Sequence, residues 1–227
     1  MMYRQLNESE KEVLIKNGCS ADNWENIRVK EDFNPAYVKN VEFSGNISLG
    51  TFTREFDQAG GFKVHSGIFD VRLHNVSVGD DCYIHSVHNY IANYNISNDV
   101  FIENTNLIVV DGESTFGNGV RVPVMNETGG REVPIYDYLC APMAYILTMY
   151  RHDTELVEKL EEMINVYTEK QKSSVGYIGC NVKIVNCGSI KNVRIGDYAT
   201  LGGVSKLNNG SINSNRHAPV HIGSGVK

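Results

Sequence analysis

The chain has 227 residues, 41% of them hydrophobic and 21% charged, with a formal net charge of −6. That length and balance suit one sizeable soluble domain or two small ones. A negative chain without a Lys/Arg-rich run lacks the basic face that nucleic-acid binding needs, and no apolar run is long enough to span a membrane.

The N-terminal text MMYRQLNESEKEVLIKNG has no signal-peptide apolar core, so the expected location is the cytoplasm. The five cysteines, Cys19, Cys82, Cys140, Cys180 and Cys187, include no C-x-x-C pair. They read as buried small hydrophobes in a reducing compartment, not as zinc ligands or a disulfide framework.

Residues 1–30 read as a small helical cap. Asn7 can cap a helix with Glu10 as its reciprocal partner, and Gly18 suits the residue just past its end. A second short helix is expected from a Ser20 cap, carrying Trp24 and Ile27. No chemistry is expected of this region.

Residues 38–126 form a first β-rich block. Val41, Phe43, Ile47 and Leu49 alternate as strand residues do. The stretch Thr51–His65, with Gly60-Gly61 in its middle, reads as a hairpin or protruding loop. A six-residue beat then runs through Val78, Ile84, Tyr90, Ile96, Ile102 and Ile108, and fades after Gly112.

Residues 134–172 read as an inserted helical hairpin. Ile135, Leu139, Ile146, Leu147 and Tyr150 suggest one helix, which Pro142 should kink or restart. Asp153 or Thr154 can cap the second, where Leu156, Val157, Leu160, Met163, Ile164 and Tyr167 recur at helical spacing.

The beat resumes over residues 175–227, at Ile178, Ile184 and Ile190. After a one-residue slip it continues at Ile195, Leu201 and Leu207. The final HAPVHIGSGVK begins a fresh repeat and stops. An open end would expose unpaired strand edges, so the expectation is a piece of a longer protein, or a chain capped by another.

Six is the period of neither a strand nor a helix. A short strand and a tight turn, repeated, return an anchor to the same inward position, and stacked repeats bury a continuous aliphatic column. Gly and Asn suit the turns because corners demand unusual backbone angles.

I-G-C-N-V-K-I at 178–184, I-G-D-Y-A-T-L-G at 195–202 and V-G-D-D-C-Y-I at 78–84 resemble the hexapeptide-repeat signature of left-handed parallel β-helices, [LIV]-[GAED]-x-x-[STAV]-x. The resemblance implies a mainly β fold: a left-handed parallel β-helix with an N-terminal helical cap and an inserted helical hairpin, an exception to right-handed crossovers. The chain also resembles the N-terminal part of an uncharacterised bacterial hexapeptide-repeat family of much longer proteins. That likeness rests on the cap, on N-E-T-G-G-R-E-V-P-I-Y-D and on S-I-K-N-V-R-I-G-D-Y-A-T.

Many hexapeptide-repeat proteins are acyltransferases on amino sugars or sugar nucleotides, others are parts of sugar-1-phosphate nucleotidyltransferases, and some are structural. Fold alone does not choose among them. The resemblance implies an acyl donor such as acyl-CoA, a sugar nucleotide or similar anionic substrate, and a homotrimer. The Gly-rich loop that opens a nucleotidyltransferase is absent.

Acyltransferases of this kind use a histidine as general base, a role that suits imidazole's pKa. The candidates are His74, His85 and His88, with surface or ladder histidines as the bland alternative. They are not expected to bind zinc. Ligands must converge at about 2.0–2.1 Å, and residues three apart on a strand, like His85 and His88, face opposite ways.

A second candidate is the substrate-binding loop Asn126, Glu127, Gly129, Gly130 and Arg131, with Thr128 and Glu132. The glycines would let backbone N–H groups approach an anion, and Arg131 could fork onto a phosphate or carboxylate. The alternative is a tight turn with a local ion pair.

The corner asparagines, Asn75, Asn93, Asn95, Asn104, Asn106, Asn181, Asn186 and Asn192, are expected to form corner hydrogen bonds or stacked side-chain ladders. Tyr136, Tyr138, Tyr145, Tyr150 and Tyr167 are expected to pack the insert against the repeat or a partner, with aromatic stacking on a sugar as the alternative. Two functions follow: a transferase-like protein or a non-catalytic scaffold.

Overall fold

The computed structural model describes residues 3–124 and 129–226. It is mainly β, organised around one large sheet whose pairings are almost all parallel.

At the N-terminus, β1 (Tyr3–Gln5) precedes α1 (Glu8–Lys16). The expected capping box is present: Asn7 accepts from the Glu10 N–H, and Glu10 accepts from the Asn7 N–H. Gly18 follows with φ +81°, the left-handed conformation that closes a helix.

The expected second helix does not form. Ser20–Ala21 is a strand, β2, and Trp24–Asn26 is a single 3₁₀ turn capped by Asn23. β3 (Ile27–Lys30) then lies parallel to β4 (Val38–Leu49). The reason is local: β-branched Ile27 and Val29 are buried while Arg28 is exposed, the two-residue alternation of a strand.

β5 (Glu55–Asp57) and β6 (Lys63–His65) form the expected hairpin. The main stack continues with β7 (Gly67–Val78), β8 (Tyr83–Ile96) and β9 (Phe101–Val109). It resumes after the insert with β12–β17, described below.

The insert begins with β10 (Arg121–Pro123) paired antiparallel with β11 (Glu132–Pro134). α2 (Ala141–Met149) and α3 (Thr154–Gln171) follow. α2 starts six residues later than Ile135 suggested, because Pro142 falls in its first turn and not in its interior; a proline there leaves no hydrogen bond unmade. Asp153 caps α3 by accepting from Leu156 N–H. Val133, Leu147, Val157 and Ile164 form a small core of their own.

β12 (Gly176–Ile178), β13 (Lys183–Val185), β14 (Ser189–Ile195), β15 (Thr200–Gly202), β16 (Lys206–Ile212) and β17 (His221–Ile222) complete the stack. The pairing register gives the six-residue beat its physical content. Val38, Ile68, Ile84, Ile102, Ile184, Leu201 and Ile222 are successive partners in one column. Leu49, Val78, Ile96, Ile178, Ile195 and Ile212 form a second. Phe43, Leu73, Ile91, Ile108, Ile190 and Leu207 form a third. Ile84 therefore meets Ile102 three six-residue steps later.

Between the columns the backbone turns through left-handed residues. Asp81, Asp99, Asn181 and Tyr198 all have φ between 54° and 60°, a region Asn and Asp tolerate better than most side chains.

Tyr90 departs from the expected column. It is 40% exposed, and Ile91 is buried in its place. The β8–β9 register shifts between Val87 and Tyr90, so one extra residue is accommodated at this corner and the beat moves on by one. Tyr94, which fitted the repeat poorly, is fully buried. Its hydroxyl donates to Val193 O at 2.7 Å and accepts from Val193 N–H at 3.3 Å. Gly176 must be small because a Cβ there would lie 2.3 Å from the Tyr94 ring.

Cys19, Cys82 and Cys187 are buried as expected, but Cys140 is exposed at the start of α2 and Cys180 is half-buried. Burial pushes the Cys82 thiol up to about 12, so it stays protonated and behaves as a small hydrophobe.

Candidate histidine and arginine site

The three candidate histidines lie on two neighbouring strands. On β7, the run Asp70-Val71-Arg72-Leu73-His74-Asn75 alternates, burying Val71 and Leu73 and exposing Arg72 and His74. Residues two apart share a face, so Arg72 and His74 belong to one outer surface.

His74 is tied into a network. Its Nδ1 lies 2.8 Å from Ser44 Oγ, and Asn75 Nδ2 donates to its Nε2 at 3.0 Å. Asn75 is oriented by its Oδ1, which accepts from Asn46 N–H at 3.0 Å. The network therefore assigns the proton to Nδ1 and occupies the Nε2 lone pair.

His88 differs. Its Nε2 lies 2.9 Å from Asn104 Oδ1, and Asn104 Nδ2 donates to Asn186 Oδ1 at 2.6 Å. The ladder fixes the Asn104 amide with its oxygen toward the ring. His88 thus carries its proton on Nε2, and Nδ1 keeps its lone pair.

His85 sits between two carboxylates from the neighbouring layers. Asp70 Oδ2 is 3.4 Å from its Nε2, and Glu103 Oε1 is 3.8 Å from its Nδ1. Phe69 and Tyr83 flank its ring. It lines neither the groove of His74 nor that of His88.

His88 lines a groove of about 210 Å³ with Asp70, Arg72, Asn89 and Glu42. His74 lines a larger groove of about 560 Å³ with Arg72, Tyr90, Asp111 and Lys191. Arg72 borders both. Its Nε donates to Glu42 Oε2 at 2.7 Å, while Lys191 Nζ pairs with Asp111 Oδ2 at 2.6 Å. Both cations are partly exposed. Neither Arg72 nor Lys191 stands out in the sequence. The Arg72-x-His74 spacing on an alternating strand was the available signal for the first. Nothing local marks Lys191, which arrives from beyond the insert.

The glycine loop stands apart. Asn126 and Glu127 lie outside the described residues. Gly129 and Gly130 have φ of 88° and 96°. Gly130 N–H donates to Glu132 Oε1 at 2.9 Å, and this bond holds the Glu132 carboxyl below its ordinary range. The backbone donor expected to meet an anion thus meets the chain's own carboxylate. Arg131 does not pair with Glu132; its guanidinium lies 3.8 Å from Met149 Sδ. No residue of 129–132 lines the His74 or His88 grooves.

Asparagine ladders form at some of the corners, while Asn192 Oδ1 instead accepts from the Asp111 N–H at 2.8 Å. Asn75 donates to Asn93 at 3.3 Å, Asn89 to Asn106 at 2.8 Å, and Asn104 to Asn186. Among the described residues, no group of three or more His, Cys, Asp or Glu side chains is placed to hold a metal ion, and no helix is long and apolar enough to cross a membrane.

An uncharacterised protein of Treponema pallidum (strain Nichols) is 28% identical over 236 residues, covering 99% of this chain and 32% of the relative. The chain thus spans about a third of the length of the curated relative it matches. A family model described as "Domain of unknown function (DUF4954)" matches residues 3–227, and the chain accordingly belongs to the DUF4954 family.

Proposed function

We propose that the strand stack is a left-handed parallel β-helix of the hexapeptide-repeat type, and that its outer face carries a transferase-like site for an anionic small molecule. The three in-register aliphatic columns and the left-handed corners support the fold. The observation that carries the function is the His88 tautomer: an exposed imidazole with Nε2 held by Asn104 and Nδ1 open, beside the Arg72 guanidinium.

In this reading His88 Nδ1 accepts the proton of an acceptor hydroxyl or amine. The acceptor's oxygen or nitrogen attacks the thioester carbonyl of an acyl donor such as acyl-CoA. The carbon–sulfur bond breaks, and His88 returns the proton to the leaving thiolate. Asn104 orients the ring, as the partner of a catalytic histidine does. Arg72 exchanges Glu42 for a phosphate of a sugar nucleotide, a pairing its planar fork suits. His74, with both nitrogens engaged, positions Ser44 and Asn75 and takes no proton. The glycine loop takes no part.

A second reading is favoured by one observation. His74 and His88 are both members of side-chain ladders, as they would be in a scaffold that needs no chemistry. Thermal-shift measurements with acyl-CoAs and sugar nucleotides separate the two. The transferase reading expects stabilisation that grows with ligand concentration and is lost in Arg72→Ala, with transfer activity lost in His88→Ala. No shift with any of these ligands, together with intact folding, leaves the scaffold.

A further inference from the structure

A pocket of about 410 Å³ lies where the helical insert meets the second part of the stack, and it shares no residue with the histidine grooves. Its size falls within the range of small-molecule sites. Two tyrosines stand in its wall. Tyr138 is 71% exposed, although its ring is fixed edge-on against Tyr167 and Tyr136, at 5.3 and 6.4 Å between centroids. Tyr177, from β12, is partly exposed, and its hydroxyl accepts from Ser97 Oγ at 3.1 Å. Neither ring is covered, and both are held.

The polar side chains of the wall are planar and preset. Tyr167 Oη donates to Asp137 Oδ2 at 2.7 Å, and Asn213 Nδ2 donates to Asp137 O at 3.0 Å. Asp197 Oδ1 accepts from Cys180 N–H at 2.8 Å. Arg194 is held by Gln171. Each carboxylate uses one oxygen in these contacts, so the other is available to a ligand hydroxyl. Burial pushes the Tyr167 phenol above its usual range, and the bond to Asp137 adds to this, so Tyr167 stays a donor.

We infer that this pocket binds a neutral sugar, a pyranose whose apolar face lies on Tyr138 or Tyr177 and whose hydroxyls meet Asp137, Asp197, Arg194 and Asn213. Sugar hydroxyls both donate and accept, and the wall offers carboxylate acceptors beside guanidinium and amide donors. Exposed aromatic rings supply the apolar contact. Two carboxylates against one guanidinium leave the wall with net negative charge, which disfavours phosphates and selects a neutral ligand over the anionic one expected at Arg72.

The test is saturation-transfer NMR and calorimetry on the full chain, with glucose and N-acetylglucosamine as probes and inorganic phosphate as the comparator. At least one sugar should bind, with Kd in the millimolar range. Tyr138→Ala and Asp197→Asn should each weaken that binding by about tenfold, the scale of one lost stacking or charge-assisted contact. Tyr138 is largely exposed, so its loss leaves folding intact; Tyr177→Ala is the second aromatic variant. His88→Ala should leave sugar binding unchanged, so failure of the histidine site and failure of this one are separable. Absence of binding by both sugars overturns the inference. So does binding that survives all three pocket substitutions, or phosphate binding at the same residues in place of sugar.

Discussion

The strand stack and the helical insert are built from the same kinds of residue, yet they are stabilised differently. The stack buries one continuous column system from Leu14 to Val204, and each layer completes the core of its neighbours. Among the described residues, the insert encloses four buried hydrophobic residues and leaves Tyr138, Tyr145, Met149, Tyr150, Met163 and Val166 exposed. A repeat architecture spreads its stability along the chain. A small helical hairpin depends on a few side chains and on the surface it leans against.

The largest effect should come from the middle of the stack. Ile102 is fully buried between Ile84 and Ile184. Ile102→Ala should lower the unfolding free energy by about 2–5 kcal/mol, seen as a drop in denaturant midpoint for the whole stack. A small loss confined to helical content would break the comparison.

Leu147→Ala, in the insert, should cost about 2–3 kcal/mol, but locally. Helical circular dichroism should melt before the β signal, whereas the unaltered protein melts more nearly together. A single shared transition in the variant would show that the two regions fold as one unit.

Tyr94→Phe should cost about 1–3 kcal/mol, because both the N–H and the carbonyl of Val193 lose a buried partner. Hydrogen exchange at Val193 should rise while exchange in the insert is unchanged. Unaltered protection at Val193 would mean that water replaces the hydroxyl.

The smallest effect should be a pH dependence at the N-terminal end. The bidentate bond from Arg4, at 2.7 and 2.8 Å, holds the Glu10 carboxyl below its ordinary 4.5; burial opposes this and the Asn7 N–H adds to it. A carboxyl with a depressed folded pKa stabilises the fold above its unfolded value, and the benefit is lost as pH falls through the folded value. Glu10→Gln should therefore lower the melting temperature at pH 7, by the equivalent of about 1 kcal/mol or less given the partly exposed arginine. The gap from the unaltered protein should close as pH falls below 4.5. A gap that persists at pH 3 would assign the loss to packing.

Much of the fold was legible in local text. The aliphatic beat gave the columns at Ile178, Ile184, Ile190, Ile195 and Leu201, all fully buried. Asn7 and Asp153 were legible as caps because a cap is decided by neighbours within one turn. The pair Gly60-Gly61 marked the β5–β6 hairpin for the same reason. Ile27 was misread as helical because a four-residue strand offers too few positions to separate the two periods.

The site was less legible. His74 and His88 were visible as residue types, but their hydrogen-bond partners Ser44, Asn104 and Asn186 come from other layers. Arg72 could be placed on the same face as His74, yet its position between two grooves needed the neighbouring strands. The glycine loop looked like an anion site because Gly129-Gly130 is permissive, and no local rule announced that Glu132 would take the Gly130 N–H.

The sequence by itself determined that a six-residue beat would stack, that Asn- and Asp-rich corners would turn, and that Asn7 and Asp153 would cap helices. Those features depend on side-chain period and on backbone preferences that act within a few residues. The tertiary structure alone decided that Ile91 replaces Tyr90, that Tyr94 reaches Val193, and that Tyr138, Tyr177 and Arg194 face one pocket. These pairings join residues far apart in the chain, and the register that brings them together is a property of the whole stack.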